Sequence, residues 1–354
     1  MSIKTKSLDF SGQHFHVGID VHKSNWKIAV RSNGTFLKQM SVDPSPAVLT
    51  KSLQNAFPGG TFSSVYEAGF SGFWAHRELI QLGIKNIIVN PADVPTSNKE
   101  KERKDDVIDS TKLSRELENG SLKSIFIPTQ EQEGLRSLSR LLDQYRKRST
   151  QIKNRIKGYL HFIGGKVPAH DETSHWSNAF ITFLKEMDFT NTYNREVLDI
   201  HIEELLIVRK RKLELIRRIR EIAAGNEVLQ LLRSIPGIGL ITAFTIYAEL
   251  YDIHRFRNFD GLASFVGLSP SLSSSDDKVI VKGITSRHAK YLRYLLIESS
   301  WHAVRKDPAL AKAYLDFCKR MPKQKAIIRI AKKLLSRIRY VWKNRIPYEI
   351  GIVE

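Results

Sequence analysis

The sequence predicts an α/β domain built on a mixed sheet, followed by an all-helical region, and two observations carry that prediction. From His14 to about Pro128, short apolar runs of strand length alternate with helix-period segments; beyond Pro128 the apolar spacing changes to threes and fours. The boundary lies where one grammar gives way to the other.

Residues 1–13 are polar. Strands are predicted near 16–21, 26–31 and 35–41, then a helix near 46–56 and a strand near 62–67. Gly69 and Gly72 open the turn into a helix over 73–82, and the apolar run Asn86–Val89 reads as a buried strand ended by Pro91. Three leading strands followed by alternating helix and strand give a mixed sheet with helices on its faces. The Lys-rich stretch from Pro95 to Lys104 reads as an exposed loop, in a position to meet phosphates if it lies beside an acid cluster.

Four acids stand out in this region. Asp20 ends an apolar strand, where a carboxylate sits poorly in a buried sheet, and Glu67 ends another in the same way. Asp106 and Asp109 are three apart at the start of a helix, so they project from one face about a turn apart. Alone, that pair reads most simply as a solvated acidic turn favoured by the helix dipole. Convergence of all four would change the reading, because gathered carboxylates repel and need cations between them. Mg2+ is the natural ion, being hard and oxygen-seeking, and a pair of such ions can clamp the attacking and leaving oxygens of a phosphoryl transfer.

Lys plus Arg number 56 against 37 Asp plus Glu, a formal charge of +19 with a pI near 9.8, which points to a polyanionic partner. A membrane surface is the rival, but there is no apolar run of about eighteen residues, no signal pattern and no lipidation motif. The expectation is a soluble, cytoplasmic protein of two or three domains. Cys318 stands alone, which excludes an internal disulfide and a cysteine-based zinc site.

In the helical region, Leu135, Leu138, Leu142, Tyr145, Ser149, Ile152, Ile156 and Tyr159 alternate spacings of three and four, as a coiled-coil seam does. A second amphipathic run, 194–224, carries the cluster Arg209, Lys210, Arg211 and Lys212. The plain reading is an antiparallel helical pair with a solvated basic face; the functional one is a spacer and dimerisation arm that tracks a phosphate backbone. Ile235-Pro236-Gly237-Ile238-Gly239 between two apolar helices looks like a helix-hairpin-helix turn, whose glycines let backbone N–H groups approach a phosphate. Glycines that merely permit a tight turn are the alternative. A serine-rich stretch, Ser269 to Ser275, reads on its own as a flexible loop. After Arg287 a helix over 290–304 presents Lys290 and Arg293, and 310–346 is another basic helical segment.

The order of these parts resembles the IS one-ten family of insertion-sequence transposases, the DEDD transposases. Gly18-Ile19-Asp20-Val21-His22-Lys23, Tyr66-Glu67-Ala68-Gly69 and Lys104-Asp105-Asp106-Val107-Ile108-Asp109-Ser110 fall where that family carries its four acids on a RuvC-like (RNase H-like) fold. Ile235 to Gly239, Gly267 to Pro270, Ser274-Ser275 and Gly283 through Arg293 resemble its C-terminal transposase domain. The resemblance implies a RuvC-like domain over 14–128, a coiled-coil arm over 129–226, a transposase domain over 227–310 and a basic tail over 311–354. It also implies a serine nucleophile, by position Ser275 with Ser274 as the adjacent alternative, attacking DNA opposite a Mg2+-bound acid cluster. Where the family has a glycine pair after that serine, this chain has Asp276-Asp277, and His288 stands in place of a glycine. A structured bridge RNA that pairs with donor and target DNA, and a dimer or tetramer, are further implications. A metal-dependent junction resolvase or nuclease, and a non-catalytic nucleic-acid binder, are the competing readings.

Overall fold

The computed structural model describes residues 8–95, 106–166, 176–275, 278–284 and 289–351. The chain divides into two compact units, residues 1–127 and 128–354.

The first unit is a five-stranded sheet in the order β3-β2-β1-β4-β5, formed by β1 (His14–Val21), β2 (Trp26–Ser32), β3 (Thr35–Val42), β4 (Thr61–Glu67) and β5 (Lys85–Val89). β1, β2 and β3 run antiparallel in sequence, and β1, β4 and β5 run parallel. The alternation in β1 sorts its side chains. Phe15, Val17 and Ile19 are fully buried on one face, with Leu49 and Leu53 of α1 (Pro46–Ala56) and Ala75 and Leu79 of α2 (Trp74–Gln81) in the same core. Gly18 faces the other way, toward α3 (Asp106–Glu118), whose Leu113 packs with Val65 and Val89. Ser45 caps α1 through its side chain, with Pro46 at the first helical position.

Among the described residues, the second unit is helical apart from one hairpin. Two long helices, α4 (Gln130–Phe162) and α6 (Thr192–Ala224), pack along each other with α5 (Asn178–Glu186) beside them. α4 begins with a capping box in which Thr129 and Gln132 satisfy each other's backbone N–H groups. The apolar seam divides between two cores. Ile152 and Ile156 of α4 meet Ile202, Leu205 and Val208 of α6, with Tyr145 and Tyr159 packed alongside. Leu135, Leu138 and Leu142 instead join Ile219 and the helices that follow: α7 (Glu227–Arg233), α8 (Leu240–Leu250), α9 (Phe259–Val266), α10 (Lys290–Lys306), α11 (Pro308–Cys318) and α12 (Lys323–Asn344). Arg136 and Arg140 of α4 grip the buried carboxylate of Glu249 on α8 at 2.9 and 3.0 Å. The residues of α12 from Ile327 to Trp342 contribute a full apolar face to this core.

The serine-rich stretch departs from the expected loop. β6 (Pro270–Ser275) pairs antiparallel with β7 (Lys278–Ile284), Ser275 opposite Lys278 and Ser274 opposite Val279. The β-branched run Val279-Ile280-Val281 supplies a strand partner, and pairing overrides the local preference of serine for irregular backbone. Among the described residues, no helix is long and apolar enough to cross a membrane.

Candidate active site

The sheet register brings two of the sequence-predicted acids together. β1 and β4 run parallel with Ile19 opposite Tyr66, so Asp20 and Glu67, each one residue further on, end neighbouring strands side by side. Adjacent strands lie about 4.8 Å apart. By alternation both carboxylates belong to the face that α3 covers, the face of Gly18 and Val65.

α3 is seated there by contact with Gly18. A Cβ at residue 18 would lie 2.0 Å from the Ser110 carbonyl oxygen and 2.6 Å from the Ser114 N. Only a hydrogen at this position lets the helix backbone pass so close. Ser110 and Ser114 are fully buried, and their small side chains complete the approach. Asp109, the residue before Ser110, is thereby carried to the Asp20–Glu67 pair.

The same proximity sets the electrostatics. Burial first, then repulsion by Asp109 and Asp20, push the Glu67 carboxyl above its usual value, against the opposing pull of Lys112. Asp20 Oδ2 lies 2.9 Å from His22 Nε2. Lys112 is itself buried, and neither it nor His22 stood out in the sequence as part of the site. The signals were available: Lys112 follows Asp109 by three on the helix, one turn along the same face, and His22 follows Asp20 by two on the strand.

Among the described residues, three carboxylates gather with one buried ammonium, a donor set that suits a divalent cation held by oxygen ligands. Among the described residues, no three His, Cys, Asp or Glu side chains close up tightly enough to hold an ion unaided. Asp106 opens α3, and its side chain lies outside the described residues.

The other expected residues lie in the second unit. Ser275 and Ser274 sit at the end of β6, their side chains outside the described residues, as is Arg287. Gly237 has φ +85°, and a Cβ there would stand 2.4 Å from the Ser299 carbonyl oxygen and 2.9 Å from the Ala303 N of α10. Helix packing alone therefore requires that glycine. Gly239 caps α8 without a side-chain hydrogen bond and with open space around it. Both glycines line a cavity of about 440 Å³ that Arg233, His302 and Lys306 also border. Lys290 is exposed at the first turn of α10, and Arg293 approaches the Gly267 carbonyl at 3.5 Å. The run 209–212 splits: Arg211 pairs with Glu214 at 3.0 Å, Lys210 is exposed, and Arg209 donates to the Trp176 carbonyl.

Comparison with known proteins gives two matches along the chain, the first of which runs past the first unit and through α4. A family model for DEDD transposases of IS110, described as "Transposase", matches residues 17–164, and one described as "Transposase IS116/IS110/IS902 family" matches residues 229–315. The chain belongs to the IS110 family of insertion-sequence transposases. Asp20, Glu67, Asp106 and Asp109 fall within the first match; Gly237, Gly239, Ser275, Lys290 and Arg293 fall within the second.

Its relatives carry the same description. A transposase for insertion sequence element IS1111A of Coxiella burnetii is 28% identical over 66% of this chain and 63% of its own length. A putative transposase of Sinorhizobium fredii, y4rJ, is 27% identical over 92% of this chain and 90% of its own. A transposase for element IS1533 of Leptospira borgpetersenii is 24% identical, covering 69% of this chain and 71% of that one. The chain thus spans just under two thirds of the Coxiella protein and most of the Sinorhizobium protein.

Proposed function

We propose that this IS110-family transposase cuts and rejoins insertion-sequence DNA by attack of Ser275 on a phosphodiester held at Asp20, Glu67, Asp106 and Asp109. The observation that carries the reading is the passage of α3 over Gly18, which delivers Asp109 to the side-by-side pair Asp20 and Glu67. The strand order, with an antiparallel leading meander and parallel β4 and β5, supports a RuvC-like (RNase H-like) domain over 14–128. The arm (129–226), transposase domain (227–310) and basic tail (311–354) complete the proposed organisation.

Asp20, Glu67 and Asp109, with Asp106, would hold Mg2+, which when bound supplies charge neutralisation and orientation for the scissile phosphate. Lys112 limits the mutual repulsion of the acids, and His22 holds one oxygen of Asp20 in place. Serine Oγ forms a bond to phosphorus as the bond to the departing deoxyribose oxygen breaks, and the serine proton ends on that oxygen. The phosphoserine ester keeps the bond energy for rejoining. Donor and target duplexes are the substrates, and a structured bridge RNA chooses them by base pairing. The +19 charge supports such polyanionic partners. Strand exchange on two duplexes needs several such sites, hence a dimer or tetramer, working at the nucleoid in the cytoplasm.

Cleavage of donor DNA by Ser275→Ala and by Asp20→Ala tests the reading. Both variants lose cutting if serine and acids act together. A nuclease that activates water keeps cutting in Ser275→Ala, and a non-catalytic binder keeps its biological activity in Asp20→Ala.

A further inference from the structure

On the arm, four cations gather with no counter-charge among the described residues. Lys153 and Lys157 lie one turn apart on α4, and Arg209 and Lys212 one turn apart on α6. Trp176 organises them. Its ring lies 5.3 Å from the Lys153 ammonium and 6.0 Å from that of Lys157, and its carbonyl accepts from Arg209. The indole is itself fixed edge-on against Phe180, with centroids 5.4 Å apart. Some other cations of the same helices are matched, Arg148 and Arg155 by Glu204, Arg211 by Glu214 and Arg218 by Glu221, so it is the gathering around Trp176 that sets the four apart. None of the four makes an ion pair among the described residues.

Among the described residues this charge is uncompensated. Burial, then Arg209, Lys212 and Lys157, hold the Lys153 ammonium below the usual lysine value, and burial lowers Arg209 as well. An anion seated between the helices would relieve that repulsion. The geometry favours phosphodiesters over a lone carboxylate, because paired cations one helical turn apart on two adjacent helices can follow successive phosphates of a strand. The aromatic surface that steers the lysines is covered by them, so the cluster offers charge and not a stacking platform.

We propose that Lys153, Lys157, Arg209 and Lys212, set around Trp176, form a dedicated phosphodiester-binding site on the helical arm, seating the backbone of a nucleic-acid strand. The proposal rests on the nucleic-acid reading above and names where on the arm the backbone is held. Arg209 holds the Trp176 carbonyl, while the three lysines supply removable charge.

The test measures affinity of the full chain for a folded RNA hairpin and for a DNA duplex across a KCl series. It compares wild type, the triple variant Lys153→Gln/Lys157→Gln/Lys212→Gln, and a charge-matched control, Lys51→Gln/Lys85→Gln/Lys319→Gln. The expected result is a log–log salt slope shallower by about 1 to 3 in the triple variant, with about tenfold or greater loss of affinity near 0.1 M salt, and little change in the control. The nucleic acid that shows the loss, RNA or DNA, is the one the arm holds. An unchanged slope in the triple variant, or an equal change in the control, overturns the site while leaving the transposase reading intact. Failure of wild type to bind either nucleic acid overturns that reading instead.

Discussion

Replacing Gly18 with alanine should disable the acid site without touching an acid. The new Cβ would stand 2.0 Å from the Ser110 carbonyl oxygen and 2.6 Å from the Ser114 N, both backbone atoms that no rotamer change can move aside. Restoring ordinary contact requires α3 to retreat from β1 by roughly 1 to 1.5 Å. Overpacking of this kind costs about 1–3 kcal/mol, and a backbone clash belongs at the upper end. Asp109 moves with the helix, away from Asp20 and Glu67. A misplacement of about 1 Å at a reacting centre is worth about 100-fold in rate. The assay is cleavage of donor DNA with Mg2+ supplied, run beside circular dichroism and a thermal melt. The expected outcome is a folded protein with Tm lowered by several degrees and cleavage reduced by two orders of magnitude. Gly158→Ala is the control: it lies in α4 with open space around it, and alanine there should raise Tm slightly. Full activity and unchanged Tm in Gly18→Ala would refute the argument that α3 is held against β1 by the missing side chain.

Glu118, at the other end of α3, accepts from the Gly34 N–H at 2.7 Å and from Arg31 at 2.9 Å; although burial opposes ionisation, these donors hold its carboxyl below the usual value. Because the folded value is the lower one, this contribution is present above the unfolded carboxylate range near pH ~4.3 and disappears as pH falls through the folded value. Glu118→Gln should cost about 1.5–3 kcal/mol at neutral pH and flatten the acid limb of a melt-against-pH profile. Glu249→Ala removes the buried carboxylate that the partly exposed Arg136 and Arg140 share and should cost about 1.5–3 kcal/mol, read by denaturant unfolding; no measurable loss would contradict the pairing. Withholding Mg2+ should stop DNA cutting while sparing nucleic-acid binding, as measured by gel cleavage and by filter retention on the same samples.

Much of the first unit was legible because its strands carry their own signatures. The β1 alternation of Phe15, Val17 and Ile19 against His16, Gly18 and Asp20 gives both the strand and the face its acid occupies. Pro91 marks where β5 has ended. What the sequence did not disclose came from tertiary contact. Gly18 looks like an ordinary strand glycine until α3 is laid across it, and Lys112 looks like a solvated helix lysine until Glu67 is placed beside it. The sequence around Gly237 points to its backbone N–H groups, yet its first duty is to let α10 pass. The serine-rich stretch is a strand because of its partner, Val279 to Val281, and nothing within Ser269–Ser275 announces that partner. The seam of α4 was visible as a periodicity, but its division between two cores at Tyr145 depends on which helices pack beside each half.

The most direct measurement of the central claim is peptide mapping of protein trapped on a nicked donor substrate. A nucleotide esterified to Ser275 is expected, formed only with Mg2+ and missing when Asp109 is changed to Asn. Cleaved DNA with no protein attached, or an adduct that forms equally in Asp109→Asn, would contradict it.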